Sequence, residues 1–496
     1  MSSNARPASA PQEPHAALSG LKLVPWPSSI ESEHGTFLPA EELPLLPRTG
    51  QPDVLGVVDV FLEDLSGIGR NARVIADRAQ QGAVKFSLVD EPELGAEGYR
   101  MRVSTDGIEL FGSTTTGLFR GTRTLLQLLE EGPGQPIPCM RIDDSPLLGH
   151  RGVLIDVARK FHSLDFHLAM IREMAAYKLN VYQIHFSDDQ SYTLPSERFP
   201  NLPTEGRSYS REDIRQLVEC AERYHVTLVP EIDVPGHSRA LNRGIPETNC
   251  THAASPLGVV CLGSPASLEA VRELFSEVME MIPGPCWHLG ADEVAYDRYQ
   301  GCSACAAALK SGGLSDVRPL YREFINRMNA FVKSHGRRMF VWEGFQPGGL
   351  PEIDKDIVVF LFDVKHEGRM PKDYLDAGYE LMNTAWSPLY VADNIYMTTP
   401  EIIARWTPWM FGAGRSPQPF ARWQRLEETP HILGAQVCSW AIEEKAEMGL
   451  LFGKGPGFPE YGRPGPRAQI AAERMWTGGR TSYKSLLERT GASYWE

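Results

Sequence analysis

From residue 150 onward the chain repeats one pattern: a short apolar run, then a stretch whose apolar residues recur at helical spacing. The runs are GVLIDV (152–157), VYQIHF (181–186), VTLVPEIDV (226–234), CWHLG (286–290), RMFVWE (338–343), IVVFLF (357–362), ELMNTAW (380–386) and ILGAQVCSW (432–440). Between them lie patterns such as LAMIREMAAYKL (168–179) and SLEAVRELFSEVMEMI (267–282). A strand buried on both faces reads as a continuous apolar run, and regular strand–helix alternation builds a parallel sheet. Eight such units predict an α/β fold, a (β/α)8 TIM barrel with inserted loops, over residues 148–496. An open doubly wound sheet is the rival, but no GxGxxG follows any of the runs.

Residues 21–147 have a different texture. VLGVVDVFL (54–62) and YRMRVSTDGIELFG (99–112) read as strands, the second folded into a hairpin at Asp106-Gly107. TTGLFRGTRTLLQLLEE (115–131) has helical spacing and stops at Gly132-Pro133-Gly134. This predicts a smaller α+β domain ahead of the barrel, joined to it by the linker DDSPLLGHR. Residues 1–20, rich in Ala, Ser and Pro, lack the apolar run of a signal peptide and read as a disordered tail. No stretch approaches the roughly 18 apolar residues of a membrane span, so the expected location is cytoplasmic. The net charge of -14 argues against nucleic acid or an anionic membrane as partner.

The eight cysteines are scattered. Cys286 and Cys438 sit in apolar runs and read as small core residues. Cys302 and Cys305 form one CxxC with no second pair close in sequence. Cys250 and Cys261 could complete a four-sulfur zinc site in space, but free thiols in a reducing compartment are the expectation.

In barrels of this kind the chemistry collects on the loops that follow the strands. Here those positions hold Asp156 and Arg159; His185, Asp188 and Asp189; Glu231, Asp233 and His237; then Asp292-Glu293. The later runs end in Trp342 and Glu343, Phe362 and Asp363, Trp386 and Tyr390, and Trp440. Taken singly each has an ordinary explanation: core packing for a tryptophan, an ion pair with Asp156 for Arg159, a satisfied turn histidine for His237. Together on one rim, carboxylates, an arginine and aromatic faces suit a neutral polyhydroxylated ring. No HExxH or HxH spacing supports a catalytic metal.

HLGADEV (288–294) resembles the H-x-G-G-D-E signature of the family 20 glycoside hydrolases, the β-N-acetylhexosaminidases. RGVLIDVARKFH (151–162), YKLNVYQIHFSDDQ (177–190) and EIDVPGH (231–237) resemble further motifs of that family, in its order. LKLVPWPSSI, EGYRMRV and TTTGLFRGTRTLLQLL look like its non-catalytic domain, and the resemblance extends to AAERMW (471–476).

The resemblance implies a retaining, exo-acting enzyme that releases terminal β-linked GlcNAc, and possibly GalNAc, from N-acetylhexosamine-containing oligosaccharides without cofactor or metal. In such enzymes the substrate's own 2-acetamido group is the nucleophile and an oxazolinium ion is the intermediate, an exception to the two-carboxylate scheme. Glu293 matches the general acid and base, expected to stay protonated near neutral pH, and Asp292 the residue that orients the acetamido group. Tyr390 matches the donor to the attacking carbonyl oxygen. Arg159, Asp188 and His237 match binding residues, with Asp188 supporting Asp292. Trp342, Phe362 and Trp440 match the walls, with Trp406 or Trp409 as a further one. There are three departures from the family pattern, the third involving two acids. Ala291 replaces a glycine, Phe362 a tryptophan, and Asp393 and Glu443 stand one residue later than the acids that hold distal hydroxyls. Whether these two acids reach the pocket or face solvent is open on the sequence.

The alternatives are a lacto-N-biosidase-like enzyme with a roomier pocket and a carbohydrate-binding protein on a decayed barrel. Intact Asp292, Glu293 and Tyr390 argue against decay. LFGKGPGFPEYGRPGP (451–466) is either an inert insertion or a rim over the pocket that offers Phe458 or Tyr461.

Overall fold

A computed structural model describes residue 18 and residues 20–48, 50–76, 80–130, 132, 134–252, 257–363, 369–392, 398–412, 423–454 and 465–492. Asp393, Phe458 and Tyr461, and most of the expected N-terminal tail, lie outside the described residues. Leu18 does not behave as tail, since it is buried in the core.

The first domain is a mixed sheet of β1 (Ser29–Phe37), β2 (Glu42–Pro47), β3 (Asn71–Val74), β4 (Val84–Leu88), β5 (Tyr99–Ser104), β6 (Gly107–Gly112) and β7 (Ile137–Asp144). Their order is β1-β7-β5-β6-β4-β2-β3. The expected hairpin is β5–β6, paired antiparallel from Tyr99↔Gly112 to Ser104↔Gly107. Residues 54–62, expected as a strand, instead belong to helix α1 (Pro52–Gly67). Its buried residues Val54, Val57, Val58, Phe61 and Leu65 recur at three and four, so the core-facing stripe overrides the β preference of valine. Pro52, at the start, has no N–H to leave unpaired. Helix α2 (Thr115–Leu129) follows the expected pattern, capped by Thr114 Oγ1 accepting from the Gly117 N–H at 3.0 Å.

All eight barrel strands form: β8 (His150–Asp156), β9 (Val181–Ser187), β10 (Thr227–Ile232), β11 (Cys286–His288), β12 (Arg338–Trp342), β13 (Val358–Leu361), β14 (Glu380–Asn383) and, after three short strands, β18 (Ile432–Ser439). Neighbours pair in parallel, and β14–β18 closes the sheet. Of the short strands, β15 (Tyr390–Val391) pairs with the end of β18, while β16 (Met410–Phe411) and β17 (Gln424–Arg425) form a ribbon. Helices α3 (Leu164–Ala176), α4 (Arg211–Arg223), α5 (Arg239–Gly244), α6 (Pro265–Met281), α7 (Ser303–Ser311) and α8 (Arg318–Ser334) lie between successive strands. Among the described residues no helix is long and apolar enough to cross a membrane.

The first domain docks where the barrel strands begin. Glu97 takes a double hydrogen bond from Arg151 (3.0 and 2.6 Å) and one each from Arg120 (2.9 Å) and Asn180 (3.1 Å). Asp144, in the stretch expected as a linker, forms a fully buried ion pair with Lys178 at 2.8 Å and accepts from Tyr99 and the Trp476 indole.

Candidate active site

The site grows from the ends of β10 and β11. Beyond His288 the chain reverses through residues with left-handed backbone: Gly290 (φ 77°), Ala291 (φ 78°) and Glu293 (φ 45°). A side chain at Gly290 would place its Cβ 2.0 Å from Asp233 Oδ1, so only glycine fits. Ala291 is held from both sides, its N–H on Asp233 Oδ1 (3.0 Å) and its carbonyl under the Tyr321 hydroxyl (2.6 Å). This turn points the two neighbouring carboxylates differently: the Asp292 side chain is 15% exposed and that of Glu293 63%.

A chain of alternating carboxylates and imidazoles runs from the barrel interior to Glu293. Glu231 meets His185 Nδ1 at 3.1 Å, and His185 Nε2 meets Asp188 at 3.0 Å. Asp188 faces His237 Nδ1 at 3.5 Å, and His237 Nε2 lies 3.4 Å from Glu293 and 4.0 Å from Asp292. Burial disfavours a charged His237, but hydrogen bonds to Asp188 and Glu293 and the charges of Asp233 and Asp292 outweigh it and keep the ring cationic. The hydrogen bond from His237 in turn lowers the Glu293 carboxyl below its ordinary value, against its partial burial. The acid expected to be protonated is thus ionised in the unliganded chain, because its nearest neighbour is a cation. Asp292 moves the other way, raised to about 6 by burial and the charges of Glu293 and Glu231, with His237 opposing. Its Oδ1 is buried without a hydrogen-bond partner among the described residues.

The far wall is aromatic. Tyr390 stacks on Phe362 (5.9 Å between centroids, 10° between planes) and packs against Trp386 and Trp440. β14 and β18, whose ends carry Trp386, Tyr390 and Trp440, stand across the eight-strand barrel from β10 and β11. Between the two walls lies a cavity of about 320 Å³, bordered also by Arg159 and Ala441. Arg159 binds Asp156 (2.9 Å) and Asp188 (2.5 Å), and its guanidinium lies 5.3 Å over Trp440. A second cavity of about 800 Å³ opens beside the first, along the loops after β12 and β13, and Glu293 and Phe362 line both.

Residues 148–479 match the profile "Glycosyl hydrolase family 20, catalytic domain", and residues 20–145 match "Glycosyl hydrolase family 20, domain 2". The chain belongs to glycosyl hydrolase family 20. It is similar to a β-hexosaminidase of Porphyromonas gingivalis, 27% identical over a 375-residue alignment that covers 67% of this chain and 46% of that protein. A β-hexosaminidase of Vibrio furnissii is 29% identical over 401 residues, 72% of this chain and 63% of that protein. The chain therefore spans about half to two-thirds of the length of these curated relatives. In fold it resembles the family 20 exo-β-N-acetylglucosaminidase of Vibrio harveyi in complex with N-acetylglucosamine, with a TM-score of 0.74 at 24% identity, covering 96% of this chain and 78% of that one.

Within this family 20 barrel the expected residues divide. Asp292, Glu293, Tyr390, Arg159, His237, Phe362 and Trp440 border one cavity. Asp188 lies just behind it, pairing with Arg159 and His185 and accepting from the Asp189 N–H, and His237 stands between it and Asp292. Trp342 is not a wall: it is buried behind Phe362 and Trp440, its indole N–H donating to Glu231 at 2.7 Å. Trp406 and Trp409 are likewise core residues, Trp406 bonded to the Met410 carbonyl. Glu443 lies outside the cavity, 43% exposed and paired with Lys160 at 2.5 Å. The left-handed turn at Ala441 (φ 58°) buries Ile442 and sets Glu443 at the cap of the next helix, so the one-residue delay is not recovered. Asp233, His185 and Trp386 border the cavity although the motifs gave them no role. Their signal was position at a strand end.

Proposed function

We propose that this chain is a retaining exo-β-N-acetylhexosaminidase that cleaves terminal β-linked GlcNAc from oligosaccharides with the substrate's acetamido group as nucleophile. The observation that carries this reading is the place of Glu293 on the edge shared by two cavities. The smaller, at about 320 Å³, is near the lower end of ligand-site volumes, roughly 300–1,000 Å³, and suits one sugar rather than two. The larger receives the leaving group. A general acid has to stand where the two meet, within reach of the glycosidic oxygen.

The carboxylates bordering the smaller cavity, Asp233, Asp292 and Glu293, all come from the β10–β11 side, and the wall across from them is aromatic among the described residues. A scheme with an enzyme nucleophile needs a carboxylate on the opposite ring face. The substrate's own carbonyl oxygen removes that need. Asp292, whose Oδ1 has no hydrogen-bond partner among the described residues, accepts from the acetamido N–H and offsets the positive charge that grows on the nitrogen. The Tyr390 hydroxyl donates to the attacking carbonyl oxygen, and Arg159, fixed by Asp156 and Asp188, binds ring hydroxyls. A bound sugar covers Glu293 and draws it from His237, so its carboxyl rises and can deliver a proton. After the leaving group departs, the same carboxylate activates water.

Chromogenic β-glycosides of GlcNAc, GalNAc and lacto-N-biose test the reading: GlcNAc should be released, and lacto-N-biose should not. Glu293→Gln should slow a natural disaccharide by roughly 10²–10⁴-fold and an activated aryl glycoside far less, because only the former needs the proton. GlcNAc-thiazoline should inhibit as a mimic of the cyclic intermediate. A sugar trapped covalently on any carboxylate of the chain would refute the scheme.

A further inference from the structure

Four of the eight cysteines, from two separate segments of the chain, meet outside the catalytic cavity. Cys250 and Cys261 lie on the segment between α5 and α6, Cys302 caps α7, and Cys305 stands in its first turn. One sulfur from each lies within 4.8 Å of all the others. Cys261 Sγ is 3.7 Å from both Cys302 Sγ and Cys305 Sγ. All four are at most 2% exposed.

These separations are far too long for disulfides, whose sulfurs stand about 2.05 Å apart. They fit another geometry. Four sulfurs bound tetrahedrally at about 2.3 Å to one zinc ion stand about 3.8 Å from each other. The backbone N–H of Gly263 is directed at Cys261, and those of Thr251 and Cys305 at Cys302. The Thr251 hydroxyl stands 3.5 Å from Cys302 Sγ, and Val259, Val317 and Leu320 pack around the cluster. Thiolates there need a cation.

We propose that Cys250, Cys261, Cys302 and Cys305 bind one zinc ion as a closed four-thiolate site, releasing the thiol protons as the four Zn–S bonds form. With every position taken by the protein, the ion is structural. It clips the loop after β10, which carries His237, to the loop after β11, which carries Glu293. The same two loops already touch through the Tyr299 hydroxyl on the Val260 carbonyl (3.1 Å), while the Val260 N–H donates to Pro235 (2.9 Å). The structure has these cysteines free of disulfides, as expected from the sequence, and on this proposal the fold of the β10 and β11 loops makes them ligands of one ion.

The test is the metal content of the full chain, produced with zinc in the medium and purified under reducing conditions without chelator. Mass spectrometry of the metal should find about one zinc per folded chain, and a mercurial thiol reagent should release it. Cys302→Ser/Cys305→Ser should lose at least about tenfold of the bound zinc, whereas Cys286→Ser should keep it. If the double variant does not fold, wild-type protein stripped by a strong chelator should melt at lower temperature and recover when zinc chloride is restored. A folded wild type that takes up less than about 0.1 equivalents of zinc overturns the proposal, as do iron in its place or two disulfides found by alkylation without reduction.

Discussion

The two ends of the barrel treat buried charge in opposite ways. Where the strands begin, the buried charges that join the domains are paired: Lys178 on Asp144, Arg151 and Arg120 on Glu97. Where they end, three carboxylates crowd one wall and Asp292 Oδ1 is buried without a hydrogen-bond partner among the described residues. Paired charges hold domains together and do nothing else. Unbalanced ones are available to a substrate, and the fold bears their cost.

Substitutions at the two ends should therefore move different quantities. The largest effect on stability belongs to the docking end. Asp144→Ala strands a buried ammonium and should cost about 3–5 kcal/mol in urea unfolding, with kcat of the folded fraction unchanged. A loss below about 1 kcal/mol would break the contrast.

At the site end a similar charge removal should stabilise. The Asp292 carboxyl, raised to about 6, binds its proton more tightly in the folded than in the unfolded chain. Its contribution to stability therefore falls as pH rises from roughly 4 to 6 and is fully unfavourable above that window. Asp292→Asn should gain roughly 1–3 kcal/mol at pH 7, show little gain at pH 4, and lose most of the activity. Equal gains at both pH values would remove the electrostatic explanation.

Two smaller changes sharpen the comparison. Ala291→Gly relieves a left-handed alanine and should stabilise by about 0.5–1 kcal/mol in thermal melts, less than the full strain because glycine also loosens the unfolded chain. Glu443→Ala removes only an exposed pair with Lys160 and should change stability by less than about 1 kcal/mol. Its kcat/KM on GlcNAc and GalNAc glycosides should stay at the wild-type value; a changed preference between the two would return this acid to the pocket.

The sequence was legible where one periodicity dominated. The eight inner strands are apolar on both faces, so they stand out as runs bounded by turns. Residues 54–62 were ambiguous because six valine and leucine side chains satisfy either period, and burial against the sheet decided for helix. The site was legible as far as strand ends and motifs locate it. Glu443 and Trp342 were not, because their directions depend on a backbone turn at Ala441 and on a buried hydrogen bond to Glu231. The ionised state of Glu293 depends on His237, which arrives from a different strand and leaves no mark beside the acidic pair.

That one carboxylate borders two separate cavities bears on how such a protein can diversify. The smaller cavity is built by strand ends and aromatic stacking, where a change propagates through the core. The larger is lined by Gln346 to Leu350 and the start of α8, much of it loop. On the proposed function, mutations there can alter which alcohol is accommodated while the recognition of the sugar stays intact. Selection can thus explore new linkages without first dismantling the chemistry, and a library confined to residues 346–350 would sample that freedom directly.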